Sequence, residues 1–180
     1  PASELGWVIG PSLRSSYGRL PGPDGDVEAG VKGYRDYYGT TGLFDATPYT
    51  GMHETASRLR SSCERMLVCT AKPEVFARRV INHFGFAPLF DEVYGPDLAG
   101  KLDNKGDLIA HIREREPFDS ARAVMIGDRH HDIDAARRHG IASIGVLWGY
   151  GGAEELTSAG ATALCRSPAD LPEIVARLIA

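Results

Sequence analysis

Val124-Met125-Ile126-Gly127-Asp128-Arg129-His130-His131-Asp132-Ile133 is the stretch on which the fold of this chain turns. Three apolar β-formers lead into Gly127, and Ile133, Ala135 and Ala136 continue at helical spacing toward Gly140. The pattern predicts a buried strand, a tight turn and a helix. Asp128 then stands at the carboxyl end of a strand, the edge where open α/β sheets gather their ligands. A second carboxylate follows at Asp132. Two acids this close need a cation or hydrogen-bond donors to match them, and oxygen ligands suit Mg²⁺. The plainer reading makes Asp132 a helix cap, favoured at the positive end of the dipole, and Asp128 an ordinary turn residue.

Working outward from that stretch, strands and helices alternate. Met52, Ala56 and Leu59 form one face of a helix, and residues 66–69 form a strand that ends in Thr70. Pro73 opens a helix that presents Val75, Phe76, Val80 and Phe84 to a core, and Gly85 closes it. A short strand over 90–94 and a loop over 95–104 come next, then a helix marked by Leu108, Ile109 and Ile112, with Asp103 or Asn104 as its cap. Beyond the central stretch lie a strand at 141–147, a helix at 154–159, a strand at 163–165 and a closing helix at 171–179. Such alternation means an α/β fold, a parallel sheet with helices on both faces. Residues 1–46 differ: they are helical and aromatic-rich (Trp7, Val8, Ile9, Leu13, Tyr17, Val27, Val31, Tyr34, Tyr38), broken by the loop Pro21-Gly22-Pro23-Asp24-Gly25. Thr47-Pro48-Tyr49-Thr50-Gly51 links the two parts. The division is therefore a small helical lobe over 1–46 and an α/β core over 47–180.

Composition removes several classes of function. With 43% hydrophobic and 24% charged residues among 180, the chain suits one globular core with a small second lobe. A formal net charge of −4 and the lack of any basic block argue against nucleic acid as a partner. Cys63, Cys69 and Cys165 contain no C-x-x-C pair, so neither a disulfide framework nor a zinc knuckle is expected, and a reducing cytoplasm is the simplest home. No apolar run approaches the roughly 20 residues that span a bilayer, so no membrane contact is expected.

Three features fall on one rim of the expected sheet: Thr70, Lys105, and Asp128 with Asp132. A hydroxyl, an ammonium and two carboxylates are what a site needs to hold a phosphoryl group beside a magnesium ion. Singly, each has a plain alternative as a cap, a solvated lysine or a turn residue. A transition-metal site at His130 and His131 lacks a third ligand by spacing. A signalling receiver domain would carry its acidic pair on the first strand, the reverse of the order here. Gly149-Tyr150-Gly151-Gly152 does not open a βαβ unit, which disfavours a dinucleotide enzyme; it reads as a loop at the mouth of the site or as a flexible connector.

The strand ending in Thr70, Lys105 opening a helix, and Gly127-Asp128-Arg129-His130-His131-Asp132 resemble the second, third and fourth motifs of the haloacid dehalogenase superfamily. The fold so implied is a Rossmann-like core, and the lobe at 1–46 resembles part of the helical cap of phosphoglycolate phosphatase-like members. Gly95-Pro96-Asp97-Leu98-Ala99-Gly100, Asp103-Asn104-Lys105-Gly106-Asp107-Leu108-Ile109 and the arginine after Asp128 are similar to a 5'-nucleotidase branch. The resemblance implies Mg²⁺ held by Asp128 with Asp132 in support, a phosphoryl oxygen bonded by Thr70, backbone donors at Ala71, and a nucleophile and phosphate ordered by Lys105. Lys72 reads as a surface charge. The implied activity is hydrolysis of a small phosphorylated metabolite, a nucleoside 5'-monophosphate first and phosphoglycolate second, with Ser12 and Arg14 in the turn Gly10-Pro11-Ser12 meeting the substrate.

The family's first motif, an aspartate nucleophile at the end of the first strand with a second aspartate two residues on, has no counterpart in the sequence. Asp24 and Asp26 have the spacing but follow Pro21-Gly22-Pro23, where no buried strand forms. Two explanations stand. The central strand precedes Pro1 in a longer protein, or the chain is a variant without its nucleophile that serves as a binding or scaffold protein. In either case residues 1–180 alone are expected to be inactive. The gap left in the sheet is expected to favour pairing with another chain, as a homo-oligomer for example.

Overall fold

The computed structural model describes residues 6–8, 10–20 and 26–179. Ile9, Asp24 and the loop around Asp24 fall outside that set. Two helices open the chain, α1 (Leu13–Arg19) and α2 (Val27–Tyr37), followed by a π turn at Tyr38–Gly42. Ser12 caps α1 by accepting from Ser15 N–H, and Asp26 caps α2 by accepting from Ala29 N–H. Short side-chain oxygens at these points satisfy first-turn donors that have no helical partner. Asp26 is thus a helix cap and belongs to no strand.

After the linker the chain runs α3 (Met52–Ser62), β1 (Leu67–Cys69), α4 (Glu74–His83), β2 (Glu92–Tyr94) and α5 (Lys105–Arg115). It continues through β3 (Val124–Gly127), α6 (His130–Arg138), β4 (Ala142–Val146), α7 (Ala153–Ser158), β5 (Ala163–Cys165) and α8 (Leu171–Leu178). All strand pairings are parallel, as crossover helices between consecutive strands require. The strands fall into two sheets: β1 pairs with β2, Leu67 opposite Glu92, while β3, β4 and β5 form a second sheet with Val124 opposite Ala142.

Helices hold the two sheets together. Ile109 of α5 packs with Ala135, Ala136 and Ile141, and this cluster takes up both Cys69 of β1 and Met125 of β3. Across the other face of β4, Leu59 of α3 meets Ile144, Val146, Cys165 and the α8 residues Leu171, Ile174 and Val175. Full burial of each such aliphatic side chain stabilises the fold by about 1.5–3 kcal/mol. Among the described residues, β1 and β3 each keep one edge without a strand partner. Cys69 of β1 and Met125 of β3 pack against the same cluster, which brings these two strands to neighbouring positions on it.

Two expectations are corrected here. Val75 does not face a core: it is exposed, and Ala77 is the buried residue of α4. Residues two apart on a helix point in nearly opposite directions, and the buried line runs through Pro73 and Ala77 at i and i+4. The β3 strand is also less buried than its composition implies, with Ile126 38% exposed, because the strand has a neighbour on one side only.

Candidate active site

Each polar group on the rim is delivered by the end of a regular element. Thr70 follows β1 and is anchored by its N–H on the Tyr94 carbonyl. Its Oγ1 accepts from Lys72 N–H at 3.1 Å, which leaves the hydroxyl proton free to be donated elsewhere. Lys105 is the first residue of α5, where Asn104 caps the helix by accepting from Gly106 and Asp107 N–H. From there its ammonium donates to Asp132 Oδ1 at 2.5 Å and to the Cys69 carbonyl at 3.3 Å, beside Thr70. Burial alone would lower the Lys105 pKa, but the Asp132 carboxylate, with Asp128 contributing, leaves it raised. Two of the three ammonium protons are engaged, and the third remains for a ligand.

Asp132 is 7% exposed. Its second oxygen accepts from Arg129 N–H at 3.2 Å, so it closes the first turn of α6 and orients Lys105 at once. The helix begins at His130, with Asp132 inside its first turn. Asp128, just past β3, accepts from Tyr150 N–H at 2.8 Å through Oδ2, and its carbonyl accepts from Gly151 N–H at 2.9 Å. Gly149 lies against the Asp128 side chain so closely that any Cβ there would collide with it. The glycine-rich stretch is therefore a loop wrapped around Asp128 and not a free connector. Oδ1 of Asp128 has no hydrogen-bond partner among the described residues, and one carboxylate oxygen of this kind fits a hard cation that completes its shell with water and phosphate. No group of three or more His, Cys, Asp or Glu side chains is clustered as a metal cage among the described residues.

Glu155 of α7 was not legible as a site residue. It takes Arg129 Nε at 2.8 Å, His130 N–H at 2.9 Å and His130 Nδ1 at 2.8 Å. Burial opposes its charge, but these donors hold its pKa down at about 2. His130 is thereby committed to Glu155, and its ring lies 3.8 Å from that of His131. Burial lowers the pKa of His131.

The structure does not bring Arg14 to the rim. Its guanidinium pairs with both oxygens of Glu28, at 2.6 and 2.9 Å, and donates to the Leu98 carbonyl at 3.3 Å. Arg35 reaches the same carbonyl at 2.6 Å, so both arginines fasten the N-terminal helices to the loop before α5. Glu28 occupies Nε and Nη2, while Nη1 is buried 3.9 Å from Asp103 with no hydrogen-bond partner among the described residues. Lys72 is likewise no surface charge. It is half-buried, donates to the Tyr38 hydroxyl and sits 4.3 Å over that ring, and desolvation lowers its pKa. Ser12, Ala71, Lys105 and His131 do share a groove of about 470 Å³ beneath the turn at residues 10–12. A second cleft, about 300 Å³, follows β3 past Ile126 and Asp128 and is walled by Tyr49, Trp148 and Tyr150.

A parallel α/β fold with a hydroxyl, an ammonium and paired acids at one rim defines a class, and comparison with known proteins says which. The chain belongs to the haloacid dehalogenase-like hydrolase family, whose model matches residues 1–146. A 5'-nucleotidase of Pseudomonas aeruginosa is 34% identical over 175 residues, covering 96% of this chain and 79% of that protein. The tyrosine-protein kinase PtkA of Mycobacterium tuberculosis is 34% identical over 148 residues, which is 82% of this chain and 50% of the kinase. A phosphoglycolate phosphatase of Neisseria gonorrhoeae is 28% identical, with 99% of this chain and 78% of that enzyme covered. Among solved structures, a predicted phosphatase from Clostridium acetobutylicum superposes with a TM-score of 0.91 at 34% identity, over 99% of this chain and 83% of that one. No helix among the described residues is long and apolar enough to cross a membrane.

Proposed function

We propose that this protein is a Mg²⁺-dependent phosphomonoester hydrolase acting on a small phosphorylated metabolite. The observation that carries the reading is the Lys105 ammonium, which joins the carbonyl beside Thr70 to Asp132 on the rim where Asp128 also stands. Thr70 donates its hydroxyl proton to one phosphoryl oxygen, and Lys105 gives its remaining proton to a second. Both interactions strengthen as charge builds on the equatorial oxygens. Asp128 offers Oδ1 to Mg²⁺, held in place by Tyr150 N–H, while Asp132 keeps both oxygens on Lys105 and Arg129 and supports from behind. The ion, when bound, neutralises charge on the phosphoryl group and aligns it for attack.

Asp132 is fully engaged and Asp128 serves the metal, so the nucleophilic carboxylate must come from elsewhere. We place it at the end of a parallel strand seated between β1 and β3, each of which keeps an edge with no strand partner among the described residues. The apolar cleft along Ile126 would receive that strand's side chains. The names of the relatives support a phosphate-ester substrate, and the three free thiols suit a reducing cytoplasm. The test is hydrolysis of p-nitrophenyl phosphate by the full-length protein with Mg²⁺ or EDTA, alongside D128N and T70A. Metal-dependent turnover that drops at least 100-fold in D128N is expected. Turnover indifferent to EDTA and to D128N would end the proposal.

A further inference from the structure

Resting on the phosphatase reading above, we infer that the groove beneath the turn at residues 10–12 is the leaving-group subsite, that it takes an aliphatic, hydroxyl- or carboxylate-bearing group rather than a nucleobase, and that His131 reads it. At about 470 Å³ the groove reaches the size range of small-molecule sites and far exceeds a phosphoryl group alone. The turn lies directly on the imidazole. Gly10 has φ +112°, and a Cβ built there would stand 3.4 Å from His131 Cδ2 and 3.2 Å from Arg129 Cγ. His131 therefore sits where the N-terminal segment, α6 and Lys105 meet.

The walls decide the chemistry. Among the described residues no aromatic ring apart from the imidazole lines the groove, and its smooth parts are Gly10, Pro11, Ala71 and Ala135. A nucleobase is held chiefly by stacking on aromatic faces, which this groove does not offer. The aromatic rings near Asp128, those of Tyr49, Trp148 and Tyr150, line the other cleft along the free edge of β3. The proposed central strand would occupy that cleft. What the groove does offer is hydrogen bonding. Ser12, Ser15 and Asn104 line it, with the carboxylates Asp103 and Asp134 and with Arg138, which has no ion pair among the described residues. His130 is spent on Glu155, whereas the ring nitrogens of His131 have no hydrogen-bond partner among the described residues. Small polar alcohols match these walls.

The test is steady-state kinetics of the full-length protein with Mg²⁺ on 2-phosphoglycolate, ribose 5-phosphate, AMP and p-nitrophenyl phosphate, for the wild type, H131A and H131N. The wild type is expected to favour one of the two aliphatic esters over AMP by at least tenfold in kcat/KM. H131A should lower kcat/KM for that ester at least tenfold further than for the aryl phosphate, mainly through KM, and H131N should restore part of it. Preference for AMP in the wild type, or equal losses on the aliphatic and aryl esters in H131A, overturns the inference. Absence of turnover on all four esters sinks the phosphatase reading instead. In that event, calorimetric titration of 2-phosphoglycolate with Mg²⁺ still decides the subsite: binding weakened tenfold or more by H131A supports it, and no binding or unchanged binding rejects it.

Discussion

Asp132 is accommodated in the interior because Lys105 answers it at 2.5 Å and Arg129 N–H at 3.2 Å. Removing one partner of such a pair costs more than removing both, since an uncompensated buried charge remains. K105M is therefore expected to destabilise the fold by about 3–5 kcal/mol, and K105M/D132L to recover a large part of that loss. Urea denaturation of K105M, D132L and K105M/D132L beside the wild type measures it; a double variant no better than the sum of the singles would refute the coupling. At this scale the sequence pointed to Thr70 and Asp128 by residue type at a strand end and to Lys105 and Asp132 by residue type at a helix start, and the structure joins Lys105 to Asp132 and to the Cys69 carbonyl beside Thr70. The sequence was silent on Tyr150, because the group that holds Asp128 is a backbone N–H 22 positions away, and every residue type but proline carries one. It gave no sign of the pairing of Arg14, because Glu28 becomes a neighbour only once α1 and α2 pack together.

The first turn of α6 depends on α7. Glu155 holds three donors around Arg129 and His130, and its pKa of about 2 lies below the ordinary carboxylate value of 4.5. A depressed pKa means that the stabilisation is fully present above pH 4.5 and is lost as pH falls toward 2. With screening allowed for at this partly open position, the contribution is roughly 1–2 kcal/mol. The stability difference between wild type and E155Q, followed by thermal denaturation from pH 7 to pH 2, should be constant down to about pH 5 and then shrink. A difference that persists at pH 2 would show that Glu155 acts through packing. A companion case is G149A, in which the new methyl group must displace the Asp128 side chain. Its expected signature is weaker Mg²⁺ binding by calorimetry with a near-native melting temperature. Elements of this kind were readable from periodicity, since each strand and helix repeats its pattern several times. The face of α4 was not, because Val75 and Ala77 are both apolar and only packing against the strands shows which one points inward.

Alternation of strand and helix was enough to foresee a parallel sheet, and the lack of a first motif was enough to expect a gap in it; that the gap parts β1 from β3 appears only once the strands have paired. Pairing is a property of edges that meet in space, and neither strand's own residues say who stands beside it. Parallel strands are normally buried on both sides, so the β1 and β3 edges, which have no strand partner among the described residues, would form a receptor for an extended segment. Such a segment would gain two ladders of backbone hydrogen bonds at once and would cover Ile126. The consequence can be measured in parallel on residues 1–180 and on a chain that carries the proposed central strand as well. In residues 1–180, amides of β1 and β3 should exchange with solvent faster than those of β4, which has partners on both sides. In a protein that carries the central strand, the amides of β1 and β3 should become as protected as those of β4. The shorter chain should also bind a hydrophobic dye or self-associate, and both properties should vanish in the longer one. Equal protection of β1, β3 and β4 in residues 1–180, with no dye binding, would mean that the edges are already satisfied and that the nucleophile must be sought among the carboxylates in hand.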